Sequence, residues 1–203
     1  MEYYIYHLPV FVIDQVEDGV SIPEFCAEVE KYVRPSMLTN VDVVYIGNFK
    51  ELLDRNAAFT DGAIYMKAAE PTIEDMLENF IHELAHSLEI PYAEQIFSQD
   101  LRREFLAKRH TLYHLLNAEG YHINPRLYSE VEYNPKFDRF LADEVGYPLL
   151  LTLTLGLFAS PYGATSLQEY FANGFEKYYL GDAAVVKDVS PVLYRKIEEI
   201  VNG

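Results

Sequence analysis

Cysteine is almost missing from this chain of 203 residues: Cys26 stands alone. A single thiol forms no disulfide within the chain and no cysteine-built metal cluster, and it is consistent with a reducing compartment. Positive charge is also scarce. Sixteen Lys and Arg stand against 32 Asp and Glu, a net charge of −16. Such a chain is not expected to track a nucleic-acid backbone or to bind an anionic membrane through its net charge. Long apolar runs are lacking too. The most apolar one, residues 147–158, falls well short of the roughly 20 residues that span a bilayer. The N-terminal segment holds no basic cluster, and Pro9 and Asp14 interrupt the apolar residues near it. No export signal is therefore expected, and a cytoplasmic location is the simplest expectation. Internal repeats and low-complexity segments are absent.

What is present is globular in character: half the residues are hydrophobic and 14% are aromatic. The length suits one domain with a substantial core. Residues 3–13 read as one strand, or as two broken near Pro9. Ser21 is placed to cap a helix from Pro23 to about Val33, ended by Arg34-Pro35. A strand over 41–46, a short helix over 48–54, the turn Asp61-Gly62 and a strand over Ala63–Met66 follow. A helix then starts after Thr72 and runs to about Ile90-Pro91. A long helical pattern covers 93–118, a polar stretch 120–135, and a short helix 136–144. Residues 146–158 read as a buried helix, with a strand the alternative, and the last helices span 166–180 and 190–201. The expected fold class is α+β, mostly helical. A small N-terminal sheet part (1–70) is followed by a central helix (71–91), a helical insertion (92–146) and a helical C-terminal part (147–203), all in one domain.

The central helix carries the chemistry. Ile73, Met76, Leu77, Phe80, Ile81, Leu84, Ala85 and Leu88 form one apolar stripe at helical spacing. His82 and His86 stand one turn apart on the other face. Two imidazoles so placed can share one Zn²⁺, and Glu83 beside them can take a proton from water at the metal. The bland alternative is a solvated polar face that happens to hold two histidines. His110 and His114 repeat the four-residue spacing. No acid lies between them, however, and Lys108 and Arg109 are adjacent, so they read first as a polar helix face. His7 and His122 read the same way.

A catalytic zinc usually has three protein ligands and one open position. Glu169 is the best third candidate. The stripe Leu167, Tyr170, Phe171, Gly174, Phe175 and Tyr178 leaves it on the opposite face, with Asn173 and Glu176. Ser166-x-x-Glu169 has capping-box spacing, which would occupy Glu169 on the backbone, whereas Thr165-x-x-Gln168 would release it. Spacing alone leaves the two open.

The segment Tyr162-Gly163-Ala164-Thr165-Ser166-Leu167-Gln168-Glu169-Tyr170-Phe171-Ala172-Asn173-Gly174-Phe175 resembles the C-terminal signature of the anthrax lethal factor family of zinc peptidases, which includes the secreted Pro-Pro endopeptidases. The shared pattern is a Tyr, a Glu seven residues on, an aromatic residue, Phe, Ala, and a later Phe. The resemblance implies a zincin-like fold and one Zn²⁺ held by His82, His86 and Glu169. It implies Glu83 as general base and Tyr162 as oxyanion donor. It also implies that Ala63–Met66 is the edge strand that pairs with substrate, through Ala63, Ile64 and Tyr65. The two motifs cover about a quarter of the chain. Three features depart from the pattern: a longer gap from His86 to Glu169, Asn173 where lethal factor has an acid near the metal, and an N-terminal segment from which no leader is expected. The chain is also similar to leaderless metallopeptidases of bacteriophages, which implies a phage-infected bacterial host.

The expected function is a zinc-dependent endopeptidase acting on a peptide or protein, with neither nucleic acid nor membrane as partner. A catalytically silent binding or inhibitory module of the same fold, and a zinc hydrolase of a non-peptide amide, are the alternatives. Substrate and oligomeric state are not written in the sequence.

Overall fold

The computed structural model describes residues 1–53 and 55–203, and the chain divides into two compact units, Met1–Ile90 and Pro91–Gly203. The fold is α+β and mostly helical, with one small mixed sheet.

The first unit contains all five strands found among the described residues: β1 (Glu2–Ile5), β2 (Leu8–Val12), β3 (Val43–Ile46), β4 (Ala57–Thr60) and β5 (Ala63–Met66). Their order in the sheet is β1-β2-β3-β5-β4; β3 runs parallel to both β2 and β5, and the two outer pairs are antiparallel. The N-terminal strand pattern does break, but at Tyr6-His7 and not at Pro9. Tyr6 takes the left-handed turn with φ 54°, and Pro9 sits within β2 opposite Tyr4. The Val12 N–H bonds to the Met1 carbonyl, so two-residue alternation makes Tyr4–Pro9 a pair without ladder bonds. Pro9 also precedes the first β2–β3 pair, Val10–Val44. Its missing donor therefore costs nothing there.

Two helices cover one face of the sheet. Helix α1 (Ile22–Tyr32) starts at Ser21, whose side chain accepts from the Glu24 N–H as expected, and lies against β1. Helix α2 (Ile73–Ser87) lies against β4 and β5 and touches α1. Ile5, Leu8, Val10, Val12, Val44, Ile46, Ile64 and Met66 are all buried, as are Phe25, Phe80, Ile81 and Leu84 of the helices. Phe25 meets Phe80 edge-on at 5.9 Å. Each of these large side chains contributes about 1.5–3 kcal/mol by leaving water.

The turn Asp61-Gly62 has φ of 50° and 80° at its two residues, the pairing that suits a two-residue hairpin. It joins β5 to a strand absent from the sequence reading, β4. The short helix expected over 48–54 is only a 3₁₀ turn, Lys50–Leu52, and Asp54 lies outside the described residues.

The second unit is helical. After α3 (Ala93–Ile96) comes α4 (Gln99–Ala118), so the single helix expected over 93–118 is broken at Phe97-Ser98. A 3₁₀ turn (Pro125–Ser129), α5 (Pro135–Arg139) with a π-helical continuation (Phe140–Val145), and α6 (Tyr147–Thr154) follow. Helix α6 settles the helix-or-strand question for this stretch, but it is not buried as expected. Only Leu150 and Thr154 of it are, while Tyr147, Leu151 and Leu155 face outward. The chain ends in α7 (Leu167–Leu180), α8 (Ala183–Val189) and α9 (Pro191–Asn202). Helix α4 packs against α6, α7 and α9.

Three α4 side chains tie this unit together. Glu104 accepts from the Val192 and Leu193 N–H groups at 2.8 and 3.0 Å, occupying the N-terminus of α9, and from the Tyr170 hydroxyl at 2.9 Å. Burial, with Glu104 alongside, pushes the Tyr170 pKa up, so that hydroxyl stays a donor. Lys108 donates to the Leu157 and Val189 carbonyls at 2.6 and 2.7 Å. Arg109, 1% exposed, donates to the carbonyls of Leu127 (2.6 Å), Glu130 (2.9 Å) and Thr165 (3.4 Å). Burial pulls its pKa down to about 10, still far above neutrality, so the guanidinium is charged.

Candidate metal centre

Helix α2 begins with the expected cap: the Thr72 hydroxyl oxygen accepts from the Asp75 N–H at 3.0 Å. Its apolar stripe faces the sheet, and only Ile73 of that stripe is less than buried. This orientation sets His82 and His86, both half-buried, along one edge of the helix. Their Nε2 atoms are 3.3 Å apart. Two nitrogens at 2.0–2.1 Å from a tetrahedral zinc lie about 3.3 Å from each other. Nδ1 of His86 is 2.6 Å from Oε1 of Glu89. A carboxylate there accepts a hydrogen bond from Nδ1–H, the tautomer that leaves the lone pair on Nε2.

Glu83 is buried, and its Oε2 accepts from the Phe59 N–H at 2.7 Å. Strand β4 thus orients the carboxylate beside the two imidazoles. The expectation that Ala63–Met66 is the edge strand is corrected by the same region. Strand β5 lies between β3 and β4, with both sides paired, so Ala63, Ile64 and Tyr65 have no open edge to offer a substrate backbone. The outer strands are β1 and β4, and β4 is the one beside β5. The Lys67 N–H bonds to the Asn56 carbonyl. By alternation, Ala57 and Phe59 direct their main-chain groups away from β5.

Glu169 belongs to the first turn of α7. The open question of the cap is answered by Ser166: its hydroxyl oxygen accepts from the Glu169 N–H at 3.1 Å, while Thr165 donates its hydroxyl to the Tyr162 carbonyl at 2.8 Å. Glu169 is capped through its backbone. Asn173, expected near the metal ligands, reaches the Glu169 main chain: its Nδ2 donates to the Glu169 carbonyl at 2.8 Å. Its Oδ1 accepts from the Ser160 hydroxyl, and the Ser160 oxygen accepts in turn from the Gly163 N–H at 3.4 Å. Buried Asn173 therefore joins α7 to the 3₁₀ turn Tyr162–Ala164, which carries Tyr162.

His82, His86 and Glu169 form a group that could hold a metal ion: each offers one ligand atom, and these atoms lie within 4.8 Å of one another. Two imidazoles and one carboxylate are the donor set of a zinc with a vacant fourth position. No other group of three or more such side chains occurs among the described residues. His110 and His114 are exposed on α4 with no third partner of this kind.

Three contributors escaped the sequence reading. Glu89 was detectable as an acid three residues after His86, on the same helical face. Phe59 was implied by the hairpin turn, which demands a preceding strand. Ser160 gives no sequence signal.

Comparison of the chain with protein-family models, with curated proteins and with solved structures gives no match. No helix among the described residues is long and apolar enough to cross a membrane.

Proposed function

We propose that this chain is a zinc-dependent endopeptidase with a zincin-like fold, of the lethal factor type that its C-terminal signature resembles. The observation that carries the reading is the meeting of His82, His86 and Glu169 ligand atoms within 4.8 Å, with the two histidines on a helix reading His-Glu-x-x-His. Zinc bound there would lower the pKa of a coordinated water toward ~7 and polarise the scissile carbonyl.

The chain's own groups account for the remaining steps. Glu83, held through one oxygen by the Phe59 N–H, takes a proton from the attacking water as the new carbon–oxygen bond forms. It delivers that proton to the leaving nitrogen as the carbon–nitrogen bond breaks. Tyr162 donates a hydrogen bond to the developing oxyanion, and losing such a donor typically costs about 10²–10³ in rate. Asn173 and Ser160 hold the Tyr162 turn against α7. The outer edge of β4, through the Ala57 main chain and the Phe59 carbonyl, takes over the substrate-pairing role first expected of Ala63–Tyr65, while the Phe59 N–H stays on Glu83.

The test measures zinc content and peptide-library cleavage for the wild type, Glu83→Gln and Glu169→Gln. Glu83→Gln should keep its zinc and lose about 10²–10⁴ in cleavage rate. Glu169→Gln should lose both zinc and activity. Unchanged cleavage in Glu83→Gln refutes the mechanism.

A further inference from the structure

The proposed zinc site leaves unused a second histidine pair. The rings of His110 and His114 meet edge-to-face with centroids 4.5 Å apart, and their Nε2 atoms are 3.0 Å from each other. Both residues are exposed. Tyr113 packs its ring against each of them, at 6.3 and 5.2 Å, which restricts how the imidazoles turn. In the sequence, the adjacent Lys108 and Arg109 weighed against a cation here. The structure removes that objection. Both side chains turn into the helical unit and spend their charge on carbonyls of Leu157, Val189, Leu127, Glu130 and Thr165.

Two imidazole nitrogens at about 2.0–2.1 Å from one ion stand about 2.9–3.3 Å apart for angles between a right angle and the tetrahedral one, and the Nε2 atoms of His110 and His114 already lie within that range. Cu²⁺ heads the affinity order of divalent first-row ions for nitrogen donors and takes adjacent imidazoles in its tetragonal plane. No third His, Cys, Asp or Glu joins the pair among the described residues. The remaining positions therefore fall to water, which Cu²⁺ accepts readily in its tetragonal plane. The net charge of −16 raises the local concentration of any cation.

We propose that His110 and His114 form a second, surface metal site that binds Cu²⁺ through two cis imidazole nitrogens. This site is independent of the zinc-peptidase reading: either can fail without the other.

The test is a Cu²⁺ titration of the full chain, followed by calorimetry and by electron paramagnetic resonance, for the wild type, His110→Gln, His114→Gln and His86→Gln. The wild type and His86→Gln should both show a solvent-accessible Cu²⁺ signal split by two nitrogens. Either α4 substitution, made in the His86→Gln background so that the first histidine pair cannot supply the two nitrogens, should abolish that signal. The affinity of the α4 site for this ion should fall by about 10²-fold or more, since the second imidazole binds at high effective concentration. Both α4 changes are at exposed positions, and made alone they should leave zinc content at the wild-type value. The proposal is overturned if His110→Gln and His114→Gln, in that background, bind Cu²⁺ as His86→Gln alone does. It is equally overturned if His86→Gln abolishes every two-nitrogen signal. Unchanged zinc content in His86→Gln would instead count against the proposed zinc centre alone.

Discussion

Replacing Arg109 by Met should destabilise the protein by about 3 kcal/mol, a magnitude that follows from what the guanidinium touches. The Met side chain fills similar length but donates nothing. Three carbonyls, those of Leu127, Glu130 and Thr165, lose a charged donor. Leaving a buried acceptor unsatisfied costs about 1 kcal/mol or more each. The guanidinium also sits 4.1 Å from the Phe137 ring centroid and 5.3 Å from that of Phe105, worth about 0.5–2 kcal/mol together. Against this, Arg109 Nε is buried without an acceptor, and removing it returns about 1 kcal/mol. For a chain of this size, the net loss corresponds to a fall in melting temperature of about 6–12 °C. Thermal unfolding followed by circular dichroism reads it directly. Arg109→Lys, which keeps the charge but loses the planar fork, should fall about half as far. Because Thr165 immediately precedes the α7 cap, the Met variant should also bind zinc more weakly. A melting temperature within about 2 °C of the wild type would refute the reasoning, since it would mean that the three carbonyls find other donors at little cost.

Gly174→Ala should destabilise by about 1–3 kcal/mol, measured by urea unfolding, because an added Cβ would stand 2.3 Å from Cδ2 of Leu193, itself fully buried. Glu89→Gln should weaken zinc binding by about 10–100-fold in a chelator competition, by loosening the His86 ring and its tautomer. Cys26 is buried and its thiol is pushed up to about 11 by desolvation, with Glu30 adding to the effect. Thiolate is the reacting form. The native protein should therefore resist alkylation near pH 8 and react only as pH rises toward 11 or in denaturant. Mass spectrometry of timed samples checks this.

Helix α2 was readable because everything it needs is local: a Thr72 cap, a 3.6-residue stripe, and two histidines one turn apart. The third candidate ligand, Glu169, was readable as a residue on the polar side of α7, but not as a member of the group with His82 and His86, since periodicity says nothing about long-range approach. Strand β4 was missed because Ala57-Ala58 carry little strand preference and no alternation. The break at Phe97-Ser98 was hidden by apolar spacing that continues through it, although Ser98 with Asp100 after it has the look of a helix start. Residues 146–158 misled for another reason. Hydrophobicity predicts burial there, yet Leu151 and Leu155 are 59% and 85% exposed. An apolar side chain alone in water is ordinary.

The double grip of Asn173 has a mechanical consequence. Its amide nitrogen holds the backbone of one helix and its amide oxygen, through Ser160, holds the turn before that helix. Tyr162 and Glu169 are thereby geared to a single amide, so displacing either backbone pulls on the other. Substitutions at Ser160, Tyr162 and Asn173 should then be strongly non-additive, with the second change costing far less than the first.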